Sequence, residues 1–377
     1  MGSEMRFEFG ANWANFVETA LSEEKISQSM RHLKGFLRLE DLRGKSFLDI
    51  GSGSGLHSLA ALRLGADRIL SFDYDENSVA TTKKLHEFVG SPLHWAVQRG
   101  SILDEAYVNR LEKFDVVYSW GVLHHTGDMW TAIRNAAIPL KQDSVFYLAL
   151  YSPEIYVSPP SHYWLGVKRA YNSASKLKKR KMELNYVWRT VVRPALRAGQ
   201  NPLAIMRQYG ERGMTFWTDV RDWLGGYPME FAGFRDTVQF CKTKIKMGLD
   251  LVNCQAGEGN TEFLFASLSA NQQWREIDEG RKRVPLSGPY DWGERYLYAA
   301  ELDDLKDMAD SDGFPRRSHL MLYEDGKPLG LAHSSHEDIR TYGLGRFCHW
   351  DNHLYFSASD STNPNFNGRI YTYVAEY

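Results

Sequence analysis

Cysteine is scarce in this 377-residue chain: Cys241, Cys254 and Cys348 are the only three, and they are widely spaced. They make neither a disulfide framework nor a paired Cys-x-x-Cys metal site, which leaves a reducing cytoplasm as the expected compartment. Long apolar runs are also missing, and none approaches the ~18 residues of a membrane span. The opening "MGSEMRFEFG" lacks the basic-then-apolar order of a secretory leader. Charge of one sign is missing overall, since the net charge is −2. The chain as a whole therefore has no electrostatic pull toward nucleic acid, and no nucleic-acid partner is expected. No internal repeat is visible. What is left is an ordinary soluble composition, 43% hydrophobic and 24% charged, with length enough for two domains at ~150 residues each.

Against that neutral background one segment stands out. Between Ile155 and Gly210 there are eleven Lys or Arg and one acid, Glu183, with "KLKKRK" at Lys176–Lys181 as the densest part. The segment carries about +10. An anionic partner is expected there, either a charged acceptor molecule or an anionic membrane surface touched peripherally through Trp164, Tyr171 and Trp188. A solvated helical face is the plainer alternative.

The first 150 residues alternate in period. "SFLDIGSGSG" reads as a buried strand running into a glycine turn, "RILSFDYD", "LHWAVQRGS", "FDVVYSW" and "SVFYLALY" as further strands, and "LHSLAALRLG", "NSVATTKKLHEFVG" and "MWTAIRNAAIPL" as helices between them. Such alternation with short loops predicts a mostly parallel, doubly wound α/β sheet covered on both faces. Residues 155–225 read as a helical insert after the fifth strand. A further helix follows, and then the hairpin "LDLVNCQAG"/"NTEFLFASL", which would close the sheet with an antiparallel strand. From residue 271 onward, short aromatic-rich segments between Gly, Pro, Asn and Asp predict a small all-β domain. The expected division is 1–270 and 271–377.

The first strand runs into Asp49-Ile-Gly51-Ser52-Gly53-Ser-Gly55. Glycines there permit a sharp strand-to-helix turn and close approach of a ligand to the main chain, with helix-start amides facing an anion. Leu56 replaces the last glycine of the dinucleotide pattern G-x-G-x-x-G. Asp73, 22 residues after Gly51, ends the second strand where a carboxylate can accept from ribose hydroxyls.

This ordered set, with "FDVVYSWGVLHH" and "DWLGGYPMEFA", resembles the class I S-adenosylmethionine (SAM)-dependent methyltransferases. The resemblance is to the bacterial branch related to ubiquinone-biosynthesis methylases, over roughly residues 1–268. It implies a seven-stranded Rossmann-like sheet and SAM as cofactor. Asp49, Gly51, Ser52, Gly53 and Gly55 would hold the methionine moiety, Asp73 the ribose, and Ser101 and Ile102 the adenine. Most relatives have an acid at the position of Ser101. "FGANWANF" near the start resembles the branch's lid helix.

"WGVLHHTGDMW" lies at the carboxyl end of the fourth strand, where open α/β sheets bind ligands. Trp120 is placed near the sulfonium. One of His124 and His125 is expected to bond backbone, and the other to act as general base; His125 is preferred because the preceding apolar run packs His124. A metal site is not expected, since Asp128 is the only nearby acid. Tyr151, Trp217, Trp223 and Tyr227 are candidate acceptor walls. The expected reaction is methyl transfer to an oxygen or nitrogen of a small-molecule or glycan-type acceptor. A peptide side chain, a lipid- or quinone-like acceptor, and a non-catalytic SAM-binding scaffold are the alternatives. The C-terminal unit carries "GLAHSSHED" and "GRFCHWDNHLYFSASD", which suit carbohydrate recognition or β-turns equally. His333, His336, His349 and His353 lack compact zinc spacing. Self-association through this unit is a further option.

Overall fold

The computed structural model describes residues 22–156, 159–208, 216–256, 259–267, 282–314 and 317–375. The segment resembling a lid helix, residues 9–16, and the boundary expected at residues 270–271 lie outside them. Two compact units divide the chain, residues 1–232 and 233–377.

The first described helix, α1 (Glu23–Leu37), starts where the Ser22 hydroxyl accepts from the Lys25 N–H, with Glu23 and Glu24 in its first turn. Both features favour a helix N-terminus. Ile26, Leu33, Phe36 and Leu37 form its buried stripe.

Five strands follow: β1 (Ser46–Ile50), β2 (Arg68–Asp73), β3 (Trp95–Arg99), β4 (Phe114–Trp120) and β5 (Leu140–Leu150). All five residues of β1 and the last seven of β5 are buried. That near-continuous burial is what a parallel sheet under helices demands. β1 pairs in parallel with β2 and β4, β2 with β3, and β4 with β5. Helices α2 (Leu56–Arg63), α3 (Glu76–Phe88), α4 (Glu105–Val108) and α5 (Met129–Ala136) make the crossovers. The hairpin β6 (Asp250–Ala256) and β7 (Thr261–Ala266) is antiparallel. The seven-stranded order is β3-β2-β1-β4-β5-β7-β6. This is the doubly wound, Rossmann-like sheet expected from the sequence.

The insert after β5 is helical: α6 (Ser161–Asn172), α7 (Lys176–Val187), a π turn at Trp188–Val192, α8 (Arg193–Arg197), α9 (Pro202–Gln208) and α10 (Phe216–Gly225). Its core gathers Tyr171, Val187, Phe216, Val220 and Leu224. Glu183, the one acid of residues 155–210, is buried at 5% exposure. Glu183 accepts from the Tyr171 hydroxyl at 2.7 Å and pairs with Arg180 at 3.1 Å and Arg221 at 3.7 Å.

After α11 (Phe234–Thr243) and the hairpin, the second unit holds two four-stranded sheets. One contains β8 (Tyr298–Glu301), β10 (Phe347–Trp350) and β11 (His353–Phe356); the other contains β9 (Met321–Glu324) and β12 (Tyr371–Val374). Tyr298, Leu322, Leu354, Phe356 and Tyr371 form a common core. One short helix, His336–Tyr342, joins the strands and is capped by the Ser335 hydroxyl on the Asp338 N–H.

Candidate active site

Parallel strands place the carboxyl ends of β1, β2, β4 and β5 along one edge of the sheet, and the glycine loop, Asp73, Trp120, the two histidines and Tyr151 follow or end those strands. Gly51, Gly53 and Gly55 all have left-handed backbones, with φ of +76°, +54° and +79°. A Cβ on Gly51 would run into the side chain of Val122, and one on Gly55 would come within 3.0 Å of Thr82. Glycine is therefore required by both backbone angle and space.

Three contacts fix the loop. Asp73 accepts from the Gly53 N–H at 3.0 Å and from the Asp75 N–H at 2.9 Å. The Ser52 and Thr82 hydroxyls are 3.0 Å apart. Thr82 also donates to the Gly53 carbonyl at 3.2 Å.

Asp49 is buried at the end of β1, where its carboxylate accepts from Ser58 at 2.5 Å. Ser58 lies 2.6 Å from the Ser71 hydroxyl, which accepts from the Trp95 indole at 2.8 Å. Burial pushes the Asp49 carboxyl up to about 7; the Ser58 bond opposes that rise and the charge of Asp73 adds to it. Burial also raises the Asp73 carboxyl, against the pull of its backbone N–H donors.

Ser101 and Ile102 follow β3. The Ser101 hydroxyl accepts from the Leu103 N–H at 3.3 Å, and the Ile102 carbonyl accepts from Asn135 at 2.9 Å. Trp120 closes β4, and its buried indole N–H has no partner among the described residues.

The two histidines form a short 3-10 turn after β4 and are both buried. His124 stacks on Tyr151 at 3.9 Å between ring centroids, and its Nδ1 accepts from the Tyr151 N–H at 3.3 Å. That bond puts the proton of a neutral ring on Nε2, which has no partner among the described residues. Burial, then His125 and Lys168, hold His124 well below the usual histidine range, so it stays neutral. His125 donates from Nδ1 to the Pro228 carbonyl at 2.6 Å, which leaves the lone pair on Nε2.

The four expected acceptor-wall residues do not share one place. Tyr151 and Trp223 come together, 6.2 Å between centroids, beside the histidines. Tyr227 sits near Arg169, whose Nε donates to its hydroxyl at 3.4 Å. Trp217 lies under Arg180 and lines a groove with Leu184, Trp188, Leu203 and Phe216.

Sequence reasoning missed Tyr156, Phe231 and Lys168. Tyr156 packs on Trp223 at 5.6 Å and on Phe231 at 5.3 Å. Lys168 is fully buried, donates to the Trp223 carbonyl, and lies 4.4 Å from the Trp223 ring. Its place in a basic run made it read as solvent-exposed.

Metal ligation finds no support among the described residues, which contain no cluster of three or more His, Cys, Asp or Glu able to hold an ion. Asp128 caps α5 through the Thr131 N–H, His333 pairs with Asp310 at 2.7 Å, and His349 bonds Ser318 at 2.9 Å.

Residues 48–148 match a family model described as a methyltransferase domain. The ubiquinone biosynthesis O-methyltransferase of Methylobacterium sp. (strain 4-46) is 31% identical over 29% of this chain and 42% of its own length. The tRNA U34 carboxymethyltransferase of Idiomarina loihiensis is 34% identical over 23% of this chain and 27% of its own. The chain thus spans less than half of either relative. The magnesium protoporphyrin IX methyltransferase of Synechocystis PCC 6803, solved with bound SAH, aligns over 68% of this chain and 91% of its own at 13% identity, with a TM-score of 0.38.

Asp49 generates a stability prediction. An unfolded aspartate titrates near ~3.9, so between about pH 4 and pH 7 the folded chain keeps a proton that the unfolded chain releases. The stability this contributes is complete below about pH 4 and is lost as pH rises through about 7. Asp49→Asn cannot ionise. Urea unfolding without added cofactor is expected to show it gaining ~2–4 kcal/mol on the parent between pH 4.5 and pH 8. A pH-independent difference would mean that Asp49 ionises freely in the fold.

Proposed function

Because residues 48–148 form a class I SAM-dependent methyltransferase domain, we propose that the chain transfers a methyl group to an oxygen or nitrogen of a small-molecule or glycan-type acceptor that bears negative charge. The observation that carries this is the shared sheet edge. The glycine loop under Asp73 and the His124–His125–Tyr151 group lie at the ends of neighbouring parallel strands. The donor site and the acceptor site can therefore face each other.

SAM, when bound, supplies an electrophilic methyl group on a positively charged sulfur. Asp49 and the loop from Gly51 to Gly55 are assigned to its methionine part, Asp73 to the ribose, Ser101 and Ile102 to the adenine, and Trp120 to the neighbourhood of the sulfur. The glycine cradle supports the assignment, since the positions of Gly51 and Gly55 leave no room for side chains. At Ser101 the hydroxyl oxygen accepts from the Leu103 N–H and keeps a second lone pair, so it or a backbone carbonyl can accept from the adenine amino group. His125, with Nδ1 tied to the Pro228 carbonyl, presents the lone-pair nitrogen of a general base. His124 donates rather than accepts at Nε2. Alignment of acceptor and methyl group supplies most of the rate, and base assistance the remainder.

The two curated relatives, named for ubiquinone biosynthesis and for tRNA U34, leave the acceptor to be read from this chain's own chemistry. The basic insert supports an anionic acceptor. A second reading, peripheral contact with an anionic membrane, is favoured by exposed Trp188, Leu196 and Leu203 among those cations. No helix among the described residues is long and apolar enough to cross a membrane. Incubating labelled SAM and the protein with cell extracts, followed by mass spectrometry, tests the reading. Absence of any labelled product across extracts would favour a SAM-binding scaffold.

Gly53→Val is expected to abolish SAM binding, and Asp73→Ala to weaken it by about 1.5–3 kcal/mol, the scale of charge-assisted hydrogen bonds. Calorimetry on both variants decides the matter; unchanged affinities would remove the loop from the site.

With a hydroxyl acceptor, His125→Ala should lower the single-turnover rate ~10²–10⁴-fold and leave SAM affinity nearly intact. A full rate there with loss in His124→Ala would exchange the two roles.

Reversing Lys178, Lys179 and Lys181 to Glu is expected to raise the acceptor KM and leave SAM binding alone. If the membrane reading holds, the same variant instead stops sedimenting with phosphatidylglycerol vesicles. No response in either assay would make the run a solvated face.

A further inference from the structure

Around Tyr151 an aromatic box is built from Tyr156, Phe231, Trp223 and Trp164. Their ring centroids lie 5.6 Å (Tyr151–Tyr156), 6.1 Å (Tyr151–Phe231), 5.6 Å (Tyr156–Trp223) and 5.0 Å (Trp164–Trp223) apart. His124 stacks on one side of Tyr151 and Lys168 reaches the Trp223 ring.

The polar inventory of this box is one-sided. His124 Nε2, Trp223 Nε1 and the Ser152 hydroxyl are buried and lack a hydrogen-bond partner among the described residues. The two ring nitrogens carry protons, and the hydroxyl can donate one. Lys168 adds an amine at 0% exposure; burial pushes it down to about 7, against the opposing charge of Asp222, so an anion placed beside it favours its ammonium form. Its bond to the Trp223 carbonyl uses one of three N–H donors. It has no carboxylate at ion-pair distance among the described residues, and Asp222 acts on it from farther away. A buried donor left unmatched destabilises the fold, and a buried cation left unmatched does so more strongly. Glu154, two residues from Ser152, also has a buried carboxylate oxygen, but donors predominate, and donors beside aromatic faces are complementary to a ligand made of acceptor oxygens on an apolar body.

We propose that this box seats an anionic oxygen group of the acceptor, a carboxylate or a phosphate on a flat apolar body, held by Lys168 with the ring N–H groups of His124 and Trp223. The proposal rests on the methyl-transfer reading, since it places the acceptor beside His125 at the same strand ends. The two histidines then have separate roles, His124 in binding the acceptor and His125 in taking its proton. The long-range charge of the insert and the buried charge of Lys168 act in sequence on one ligand, the first outside the fold and the second within it.

Benzoate and phenyl phosphate serve as anionic probes, and benzamide as the neutral counterpart of benzoate. Their binding to the full chain with SAM present is followed by saturation-transfer NMR and tryptophan fluorescence. At least one anion is expected to bind about tenfold or more tightly than benzamide. The preferred anion distinguishes a carboxylate from a phosphate acceptor. Lys168→Met should weaken that anion about tenfold to a hundredfold and keep the parent's SAM affinity. The same variant should melt at a higher temperature, because a buried ammonium has been replaced by an apolar chain. Trp223→Phe, which keeps a ring and removes the N–H, should weaken the anion severalfold. Equal binding of benzamide and both anions, anion binding unchanged in Lys168→Met, or no anion binding to the parent would each overturn the proposal. SAM calorimetry on the parent is read separately: failure there would sink the methyl-transfer reading, whereas SAM binding without anion binding sinks only the anion site.

Discussion

The carboxylate of Asp73 is the constraint on which the ligand edge of the sheet depends. It ends β2, accepts from Gly53 in the neighbouring loop, and accepts from Asp75 at the start of the next helix. One side chain thereby adds to the main-chain bonds from Gly51 and Ser52 to the Phe72 carbonyl and ties the loop to the start of the next helix as well. The left-handed glycines belong to this arrangement, because a Cβ on Gly51 would meet Val122 after β4 and one on Gly55 would meet Thr82 on α3. Thr82 on α3 completes the clamp from below. A loop so fixed presents its amides in a set direction before any ligand arrives, which is what binding through backbone groups requires.

The large sheet was legible because its signals are local. Buried parallel strands read as unbroken apolar runs, and the glycine turn and Asp73 are adjacent to strand ends in the sequence itself. The distinction between the histidines was only half legible. The apolar run before His124 suggested packing, but the partner that sets the tautomer of His125 is the carbonyl of Pro228, 103 residues away. No periodicity reports such a bond. Ser58 and Ser71 were invisible for the same reason: each is an unremarkable serine until the fold brings it to Asp49 and Trp95. Lys168 was hidden more thoroughly, since a lysine in a basic stretch has every local reason to face water. Of the aromatic candidates, Tyr151 and Trp223 meet, whereas Trp217 turns to a groove on the insert. Helical phase separates them: Trp217 and Trp223 are six residues apart on α10, well over one turn.

Burial of polar groups takes two forms in the first unit. Around Asp49 it is satisfied internally, each hydroxyl passing a hydrogen bond to the next as far as the Trp95 indole. Around Tyr151 it is left open, with N–H groups aimed into an aromatic surround. Closed networks of the first kind fix a structure, and open sets of the second kind are tolerated only where they have work to do. The two lie at the ends of β1 and β5, on the sides of the sheet edge assigned to methyl donor and methyl acceptor. That difference in satisfaction separates a closed part of the sheet edge from an open one.

Glu183 has a consequence for how the insert can change over time. The one acid of its most basic stretch, residues 155–210, is turned inward, where Tyr171, Arg180 and Arg221 satisfy it. The insert's packing therefore draws on that internal carboxylate and on its apolar core, while the outward lysines of α7 contribute little to it. Charge and fold are thus governed by different residues. Lysines can be gained or lost one at a time without approaching the stability threshold that purges most mutations. The positive charge of the insert is in this sense a freely drifting trait, adjustable in small steps on a helical frame that does not have to be rebuilt.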